Sequence, residues 1–244
     1  FHSGTTFTYS NSYDMKKSTS IVFGRDGDVP LVGDWDGAGK DSFAIRRGAE
    51  IFVRNSLSAG DADTSFVFGR ADDVPFSGDF NGNGKDTIAI VRDNVILAKN
   101  TLAGGSEDVR LVFGRVGDEF YVGDWDGDGK DSFAVRRDNT FFLKNTLSGG
   151  NADDIQEFGS GGSRYYFGDW NGDDVDTPAV LRLQPSVNVV NSSMRPRSFG
   201  RGRIVFSELA LRQTNRRRRN SAAVSTDLPR NSSKLSTGLR EFPR

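Results

Sequence analysis

Short segments in which apolar and polar residues alternate occupy most of the chain. Between residues 123 and 168 four such segments follow one another, separated by Gly, Asn, Asp and Ser residues that are typical of turns. They are residues 132–136, 140–144, 154–158 and 165–168. Alternation with a period of two is typical of half-buried β-strands, and none of the segments has the 3.6-residue apolar period of a helix. The pattern therefore predicts an all-β protein made of short strands.

Three short motifs recur with a common period of 45 residues. A Gly-Asp-aromatic triplet begins at Gly33, Gly78, Gly123 and Gly168. A Phe-Gly-Arg triplet, with Ser in place of Arg in the last copy, begins at Phe23, Phe68, Phe113 and Phe158. An Asn-Ser/Thr-Leu triplet begins at Asn55, Asn100 and Asn145. Four strands within each period match the blade of a β-propeller, so we predict a propeller built from 45-residue four-stranded blades.

The repeats define one domain over residues 1–191. Whole units cover residues 33–77, 78–122 and 123–167, and partial units cover residues 1–32 and 168–191. The partial units contain complementary parts of the repeat, so the two ends could share one composite blade and close a ring of four. The alternative is a piece of a larger ring, since propellers typically have 4–8 blades. A closed ring predicts a monomer, whereas an open array exposes apolar sheet faces and predicts self-association.

Residues 192–244 differ from the repeats in composition. Between Arg195 and Arg244 there are 12 arginines and one lysine against three acidic residues, a net charge of +10 in a chain whose net charge is −1. The preceding 194 residues are therefore acidic, with a net charge of −11. We expect this basic tail to be disordered or read out of frame, and we do not expect it to bind nucleic acid.

Composition excludes several functions. There is no cysteine and one histidine, His2, so thiol catalysis, a His-dependent triad and a multi-His metal site are not expected. Acidic stretches recur once per unit, whereas a catalytic carboxylate pair should be singular, so we expect no enzyme activity. No apolar run approaches the roughly 20 residues of a membrane-spanning helix. The chain begins at Phe1, and we expect it to be a fragment or a processed product.

The loop that follows each Gly-Asp motif carries oxygen ligands at alternate positions. Counted from the motif's Asp, acidic or amide residues at positions 1, 3 and 5 and a main-chain carbonyl at position 7 resemble the ligand spacing of a Ca²⁺ loop. A further Asp stands at position 8 and could close the site, cap the turn or pair with an Arg. The alternative to a metal site is an Asx turn that bonds its own backbone.

The candidate ligands of the third loop are Asp124, Asp126, Asp128, Lys130 and Asp131. Those of the fourth loop are Asp169, Asn171, Asp173, Val175 and Asp176. Those of the second loop are Asp79, Asn81, Asn83, Lys85 and Asp86. The first loop has Ala38 at position 5 and offers only Asp34, Asp36 and Asp41. We therefore expect the third and fourth loops to be the better sites.

The stretch from Gly123 to Gly150 reads Gly-Asp-Trp-Asp-Gly-Asp-Gly-Lys-Asp, then Ala-Val-Arg-Arg and Lys-Asn-Thr-Leu-Ser-Gly-Gly. It resembles the FG-GAP/VCBS-like repeats of secreted bacterial proteins, of the kind appended to cell-wall hydrolases such as lysozyme-like muramidases and amidases. The related propeller of integrin α-subunits binds Ca²⁺ in such loops with a closing Asp at position 9. Here position 9 is Ser42, Thr87, Ser132 or Thr177.

The resemblance implies a secreted or cell-surface location and a non-catalytic binding or scaffold propeller, stabilised by Ca²⁺. Its partners would be a cell-wall polysaccharide or a surface protein. Two alternatives are an accessory domain of a peptidoglycan hydrolase whose catalytic domain is missing here, and an adhesion propeller for a protein partner. We expect Trp35, Trp125 and Trp170 to lie in the core between blades rather than to stack on sugars. We expect the paired arginines at 46–47 and 136–137 to be solvated or to pair with loop Asp residues.

Overall fold

The computed structural model describes residues 6–10, 18–160 and 163–181. These residues form sixteen β-strands and contain no helix, and therefore no helix that is long and apolar enough to cross a membrane. The all-β prediction is confirmed for them. The predictions for residues 182–191 and for the basic tail at 192–244 lie outside the described residues.

Three four-stranded antiparallel sheets follow one another along the chain. Sheet 1 contains β3 (Val29–Gly33), β4 (Ser42–Arg47), β5 (Glu50–Val53) and β6 (Thr64–Val67). Sheet 2 contains β7 (Val74–Gly78), β8 (Thr87–Arg92), β9 (Val95–Ala98) and β10 (Val109–Val112). Sheet 3 contains β11 (Glu119–Gly123), β12 (Ser132–Arg137), β13 (Thr140–Leu143) and β14 (Asp154–Glu157). Two-stranded sheets stand at either end, β1 (Thr6–Ser10) with β2 (Ser18–Val22), and β15 (Arg164–Gly168) with β16 (Thr177–Leu181).

Each complete sheet is a meander in which sequential strands are neighbours. The second and third strands are joined by two-residue turns whose first residue has a positive φ, at Gly48, Asp93 and Asp138. Positive φ in a two-residue hairpin turn matches the right-handed twist of the strands, and Gly and Asp tolerate it. The register repeats as well, since Gly33 lies opposite Ser42 and Gly78 opposite Thr87.

All four strands predicted between residues 123 and 168 are present, but they belong to two different sheets. The strand at 164–168 pairs with β16 and is therefore the first strand of the next sheet. The sheets thus begin with the strand that precedes each Gly-Asp motif, whereas the sequence units were counted from the motif itself. The reason is that the Gly-Asp loop is the connection between the first two strands of a sheet, which pair across it.

The core lies between sheets that stack face to face. Leu31, Ile51 and Phe66 of sheet 1 share a buried cluster with Ile88 and Ile90 of sheet 2. Equivalent clusters join sheet 2 to sheet 3, sheet 3 to β15–β16, and the β1–β2 hairpin to sheet 1. The second strands are covered on both faces, and β8 is buried from its first residue to its fifth. Burying one such large apolar side chain contributes about 1.5–3 kcal/mol, so stacking is the main source of stability.

The first strands of successive sheets lie beside one another, in the order β3, β7, β11 and β15. The two half-sheets at the ends remain separate, and no ladder joins β16 to β1 within the described ranges. The structure therefore contains several stacked four-stranded sheets of the kind expected for propeller blades.

Candidate cation site in the Gly-Asp loops

Each Gly-Asp loop is organised by the buried carboxylate of its first Asp. In the second loop, Oδ1 of Asp79 accepts hydrogen bonds from the backbone N–H groups of Gly82 and Asn83, at 2.8 and 3.1 Å. Oδ2 accepts a third from Gly84 at 2.7 Å. The glycine at position 4 has a φ of +74°, a left-handed conformation that Gly adopts readily because it has no Cβ. The loop is thus an Asx-type turn in which three backbone donors converge on one carboxylate.

The other loops repeat this arrangement. Asp34 accepts from Gly37, Ala38 and Gly39 at 2.7–3.0 Å. Asp124 accepts from Gly127 and Gly129 at 2.7 and 2.9 Å. Asp169 accepts from Gly172, Asp173 and Asp174 at 2.6–3.3 Å. The position 1 residues predicted as metal ligands therefore also serve as the acceptors that shape their loops.

The Asp at position 8 bonds to the loop of the preceding sheet. Oδ2 of Asp131 accepts a hydrogen bond from the backbone N–H of Asp79 at 2.7 Å, and the N–H of Asp131 donates to the carbonyl of Asp79 at 2.9 Å. Asp86 makes the same two bonds to Asp34, at 2.8 Å each. Asp176 makes them to Asp124, at 3.1 and 2.7 Å. We call this pair of bonds the inter-sheet clasp.

The clasp explains the glycines that precede the first Asp of the second and third loops, Gly78 and Gly123. A Cβ on Gly78 would lie 2.9 Å from Oδ2 of Asp131 and 3.0 Å from Cγ1 of Val122, both in the next sheet. Real Cβ atoms do not approach other atoms so closely. The glycine is required by the close approach of the neighbouring sheet. Asp41 occupies position 8 in the first loop and is half-buried.

The third loop brings three carboxylates together. Oxygen atoms of Asp124, Asp126 and Asp128 lie within 4.8 Å of one another, with Asp124 buried and the other two exposed. Desolvation raises the pKa of Asp128, but hydrogen bonds from the backbone and ammonium group of Lys130 outweigh it and lower that pKa overall. Asp128 is therefore readily ionised, and the donor set of three hard oxygen atoms suits a divalent cation.

The remaining predicted ligands at positions 3 and 5 accept hydrogen bonds from the backbone two residues further on. These are Asp36 from Ala38, Asn81 from Asn83, Asn83 from Lys85, Asn171 from Asp173, and Asp173 from Val175, at 2.9–3.3 Å. Within the described residues, a cluster of at least three acidic groups forms only in the third loop. We expected a second good site in the fourth loop, but no such cluster forms there. At position 3 the fourth loop has Asn171, where the third loop has Asp126.

A second network, which the sequence analysis missed, lies at the Phe-Gly-Arg turns. The carboxylate of Asp73 accepts two hydrogen bonds from the guanidinium of Arg92, both at 2.7 Å, and one from the backbone of Arg70 at 2.7 Å. Burial by itself raises the pKa of Asp73, but these bonds outweigh it and lower that pKa overall. Asp28 with Arg47 and Asp118 with Arg137 repeat the pair. The 45-residue period of these Asp and Arg positions is the signal that could have revealed them.

The paired arginines therefore have internal partners. Arg47 and Arg137 bind the Asp of the Phe-Gly-Arg turn and not the Asp of the Gly-Asp loop. Arg46 is buried and donates to the backbone carbonyls of Arg70 and Asp73, in the turn that precedes the next sheet. Arg136 forms an ion pair with Glu119 at 2.6 Å. The expected pairing with the Asp residues of the Gly-Asp loops is therefore wrong, because Arg47, Arg136 and Arg137 pair with other acidic residues and Arg46 bonds to backbone carbonyls.

A third repeated carboxylate closes the loop between the third and fourth strands. Asp153 accepts hydrogen bonds from the ammonium group of Lys144 at 2.8 Å and from the backbone of Asn145 at 2.8 Å. These bonds lower the pKa of Asp153. Asp108 is held in the same way by the backbone of Asn100 and by Lys99. The Asn that begins the third sequence motif is therefore a backbone donor in a structural loop.

The aromatic residue of the Gly-Asp motif lies in the core in the first three copies. Trp35 and Trp125 are 3% and 8% exposed, and Trp125 packs edge-on against Phe167 of the next sheet at 5.1 Å. Phe80 stacks on Phe133 at 5.7 Å. Trp170 differs, since 43% of it is exposed and its Nε1 donates to the carbonyl of Thr177 at 2.8 Å. The core prediction is confirmed for Trp35 and Trp125 and is wrong for Trp170, which no following sheet covers in the described part of the chain.

Comparison with known proteins leaves the family open. No family model matches the chain, and no curated protein matches it. Among solved structures the chain is similar to the Tc holotoxin pore of Photorhabdus luminescens carrying the mutation TccC3-D651A, with a TM-score of 0.45 and 16% identity. The match covers 61% of this chain and 8% of the toxin chain. This likeness is too distant to bear on the function or on closure of the ring.

Proposed function

We propose that this chain is a non-catalytic binding or scaffold module of a cell-wall-associated secreted protein, with its sheets arranged as blades of a β-propeller. Supporting this proposal, the repeated polar residues bond to the fold itself: Asp79 to its loop, Asp131 to the preceding loop and Asp73 to Arg92. Carboxylates used in this way stiffen a scaffold and are poorly placed for acid–base chemistry.

The observation that carries a role for Ca²⁺ is the cluster of Asp124, Asp126 and Asp128 in a loop already shaped by backbone hydrogen bonds. A cation there would be held by these three carboxylates, with the carbonyl of Lys130 as a fourth ligand. It would offset their mutual repulsion and tie the loop to its sheet. Because Asp124 already accepts backbone hydrogen bonds from Gly127 and Gly129, Ca²⁺ would add its stabilisation to a turn that these bonds also hold.

Binding to a cell-wall polymer tests the proposed module. We expect the purified chain to co-sediment with insoluble peptidoglycan in the presence of Ca²⁺ without releasing soluble fragments from it. The matched control is the chain carrying Asp126→Asn and Asp128→Asn, which removes the exposed acids and keeps the loop-shaping Asp124. Retention by immobilised surface proteins in place of peptidoglycan would favour the adhesion alternative, and release of soluble fragments would contradict a non-catalytic role.

The accessory-domain alternative has a separate readout. If the module assists a peptidoglycan hydrolase, adding it in trans to a muramidase or an amidase should increase the rate of peptidoglycan solubilisation. A scaffold that only attaches a protein to the wall should leave that rate unchanged.

A further inference from the structure

The two terminal half-sheets contain complementary halves of one four-stranded sheet. The β1–β2 hairpin corresponds to the third and fourth strands, because Val22 stands 45 residues before Val67 of β6. It also packs as an outer half-sheet should, with Phe7 stacked on Phe43 of sheet 1 at 4.1 Å and the hydroxyl of Tyr9 donating to the carbonyl of Leu57 at 3.3 Å. The β15–β16 pair corresponds to the first and second strands.

The β15–β16 half-sheet leaves exposed the positions that are buried between complete sheets. Trp170 is 43% exposed, whereas Trp35 and Trp125 at the same repeat position are 3% and 8% exposed. Leu181 is 41% exposed, whereas Arg46 at the same repeat position is 3% exposed. In both comparisons the covering element is the next sheet of the array. The repeat therefore identifies what should cover Trp170, namely another sheet of this type.

Sheet 1 carries the matching surface. Its Asp41 stands at position 8, where Asp86, Asp131 and Asp176 make the inter-sheet clasp to the preceding loop. Asp169 is a first Asp, the residue that receives such a clasp. The β1–β2 hairpin packs beside sheet 1, and one edge of β1 pairs with β2. By repeat position β1 is the third strand of its own sheet, so the second strand of that sheet would pair with the opposite edge of β1. These features provide a face, an edge and a clasp for one incoming half-sheet.

We propose that β15 and β16 dock onto the β1–β2 hairpin and sheet 1 of a second copy of this chain. The register of the complete sheets, in which Ala44 lies opposite Val53, places Ala179 opposite Tyr9 and Val180 opposite Thr8. Asp169 then donates its backbone N–H to Asp41 of the second copy, and Trp170 is buried against that copy's sheet 1.

A second copy is favoured over the same chain because β1–β2 and β15–β16 form separate sheets among the described residues of one molecule. Two chains joined reciprocally complete two composite sheets and form a closed ring of eight, which is within the 4–8 blades of typical propellers. The two identical contacts close on each other through a two-fold axis, so the association stops at a dimer and does not extend into a fibre.

Engineered disulfides test the pairing, and the natural chain has no cysteine to interfere. Directly opposed residues in antiparallel strands have Cα atoms about 4.5–5.5 Å apart, within disulfide range. We expect an equimolar mixture of Thr8→Cys and Val180→Cys chains to form a covalent heterodimer under mild oxidation. The control mixture pairs Val180→Cys with Val116→Cys, which lies in an exposed turn outside the proposed contact, and should remain unlinked.

Sedimentation of the unmodified chain provides the independent measurement. We expect a species of twice 26.7 kDa at micromolar concentration. Trp170→Asp should shift it to the monomer, Asp41→Asn should weaken it several-fold, and Val116→Asp should leave it unchanged. A monomeric chain whose Thr8→Cys/Val180→Cys double variant links within itself would overturn the proposal in favour of closure in one chain. Absence of any link, or a dimer insensitive to Trp170→Asp, would overturn it as well.

Discussion

The Gly-Asp loops and the Phe-Gly-Arg turns lie at opposite ends of the first strand of each sheet, and both are built on a buried Asp. In the turn, Asp73 accepts a backbone N–H and two hydrogen bonds from the guanidinium of Arg92, so the carboxylate lies beside a full positive charge. In the loop, Asp79 accepts three hydrogen bonds from neutral backbone groups. In the turn, the positive charge of an arginine therefore balances the negative charge of the Asp. In the loop, the oxygens of the Asp are bonded to uncharged backbone N–H groups.

The difference teaches where a cation can act. The backbone groups that hold Asp124 are neutral, so they do not cancel its negative charge. Asp126 and Asp128 stand beside it and add two further negative charges to the same loop. The second loop has the same backbone bonds but carries Asn81 and Asn83 at these positions. The Asx turn folds in both loops, so the turn and the cation site are separate properties of one motif.

The largest expected effect is the loss of the first Asp. Asp79→Ala leaves three backbone N–H groups without their acceptor and breaks the geometry on which the clasp to Asp131 depends. Unmade hydrogen bonds of this kind cost about 1–3 kcal/mol each, and water entering the loop recovers part of that, so we expect a loss of about 3 kcal/mol. Urea unfolding measures it. Asn83→Ala is the matched control at an exposed position, and an equal effect of both substitutions would contradict the role of Asp79.

Removal of the guanidinium from the turn should be the next largest effect. Arg92→Ala leaves the buried Asp73 without its counter-charge, and because Arg92 is partly exposed we expect a loss of about 2–3 kcal/mol. Arg92→Lys should restore only part of it, since an ammonium group lacks the rigid planar pair of N–H donors that matches both carboxylate oxygens. Arg110→Ala removes an exposed pair with Glu107 and should cost less than about 1 kcal/mol. Similar losses for Arg92→Ala and Arg110→Ala would show that the turn does not depend on its ion pair.

Calcium should distinguish the second loop from the third. For a dissociation constant on the order of 10⁻⁴ M, about 1 mM Ca²⁺ adds roughly 1.4 kcal/mol per site. The melting temperature should rise in Ca²⁺ relative to EDTA, and Asp126→Asn with Asp128→Asn should abolish the rise. The reverse exchange, Asn81→Asp with Asn83→Asp, should create a second site. If the unmodified chain melts at the same temperature in Ca²⁺ and in EDTA, the loops are turns alone.

Acid titration should give the smallest effect and should report on the turns. The pKa of Asp73 is lowered in the folded protein, so the stability it contributes is present above its ordinary pKa of about 3.9 and is lost as the pH falls through the lower folded value. Asp73→Asn should therefore flatten the fall in urea midpoint below about pH 4. Asp26→Asn, at an exposed position of the first turn, should leave that fall unchanged. If the urea midpoint of Asp73→Asn falls below pH 4 as steeply as that of the unmodified chain, other carboxylates determine the acid sensitivity.

Much of the architecture could be predicted from local patterns in the sequence. The period-two alternation located β12, β13, β14 and β15 within a residue or two, and the 45-residue motifs revealed the repeat. Alternation and turn residues are local properties, since successive side chains of a strand point to opposite faces and a tight turn needs Gly, Asn or Asp whatever lies beyond it. The oxygen-rich loop was likewise visible, because its spacing lies within eight residues.

Pairing between distant residues was decided only by the tertiary structure. The Asp at position 8 follows its own loop in sequence, yet Asp131 bonds to Asp79, 52 residues away in the preceding sheet. Asp73 and Arg92 stand 19 residues apart and meet because β7 and β8 are antiparallel neighbours. Trp125 and Trp170 occupy the same repeat position, but Trp125 is buried because a following sheet covers it and Trp170 is not. The sequence by itself determined the strands, the turns and the repeat. Strand pairing within a sheet brought Arg92 to Asp73, and the stacking of sheets brought Asp131 to Asp79 and buried Trp125.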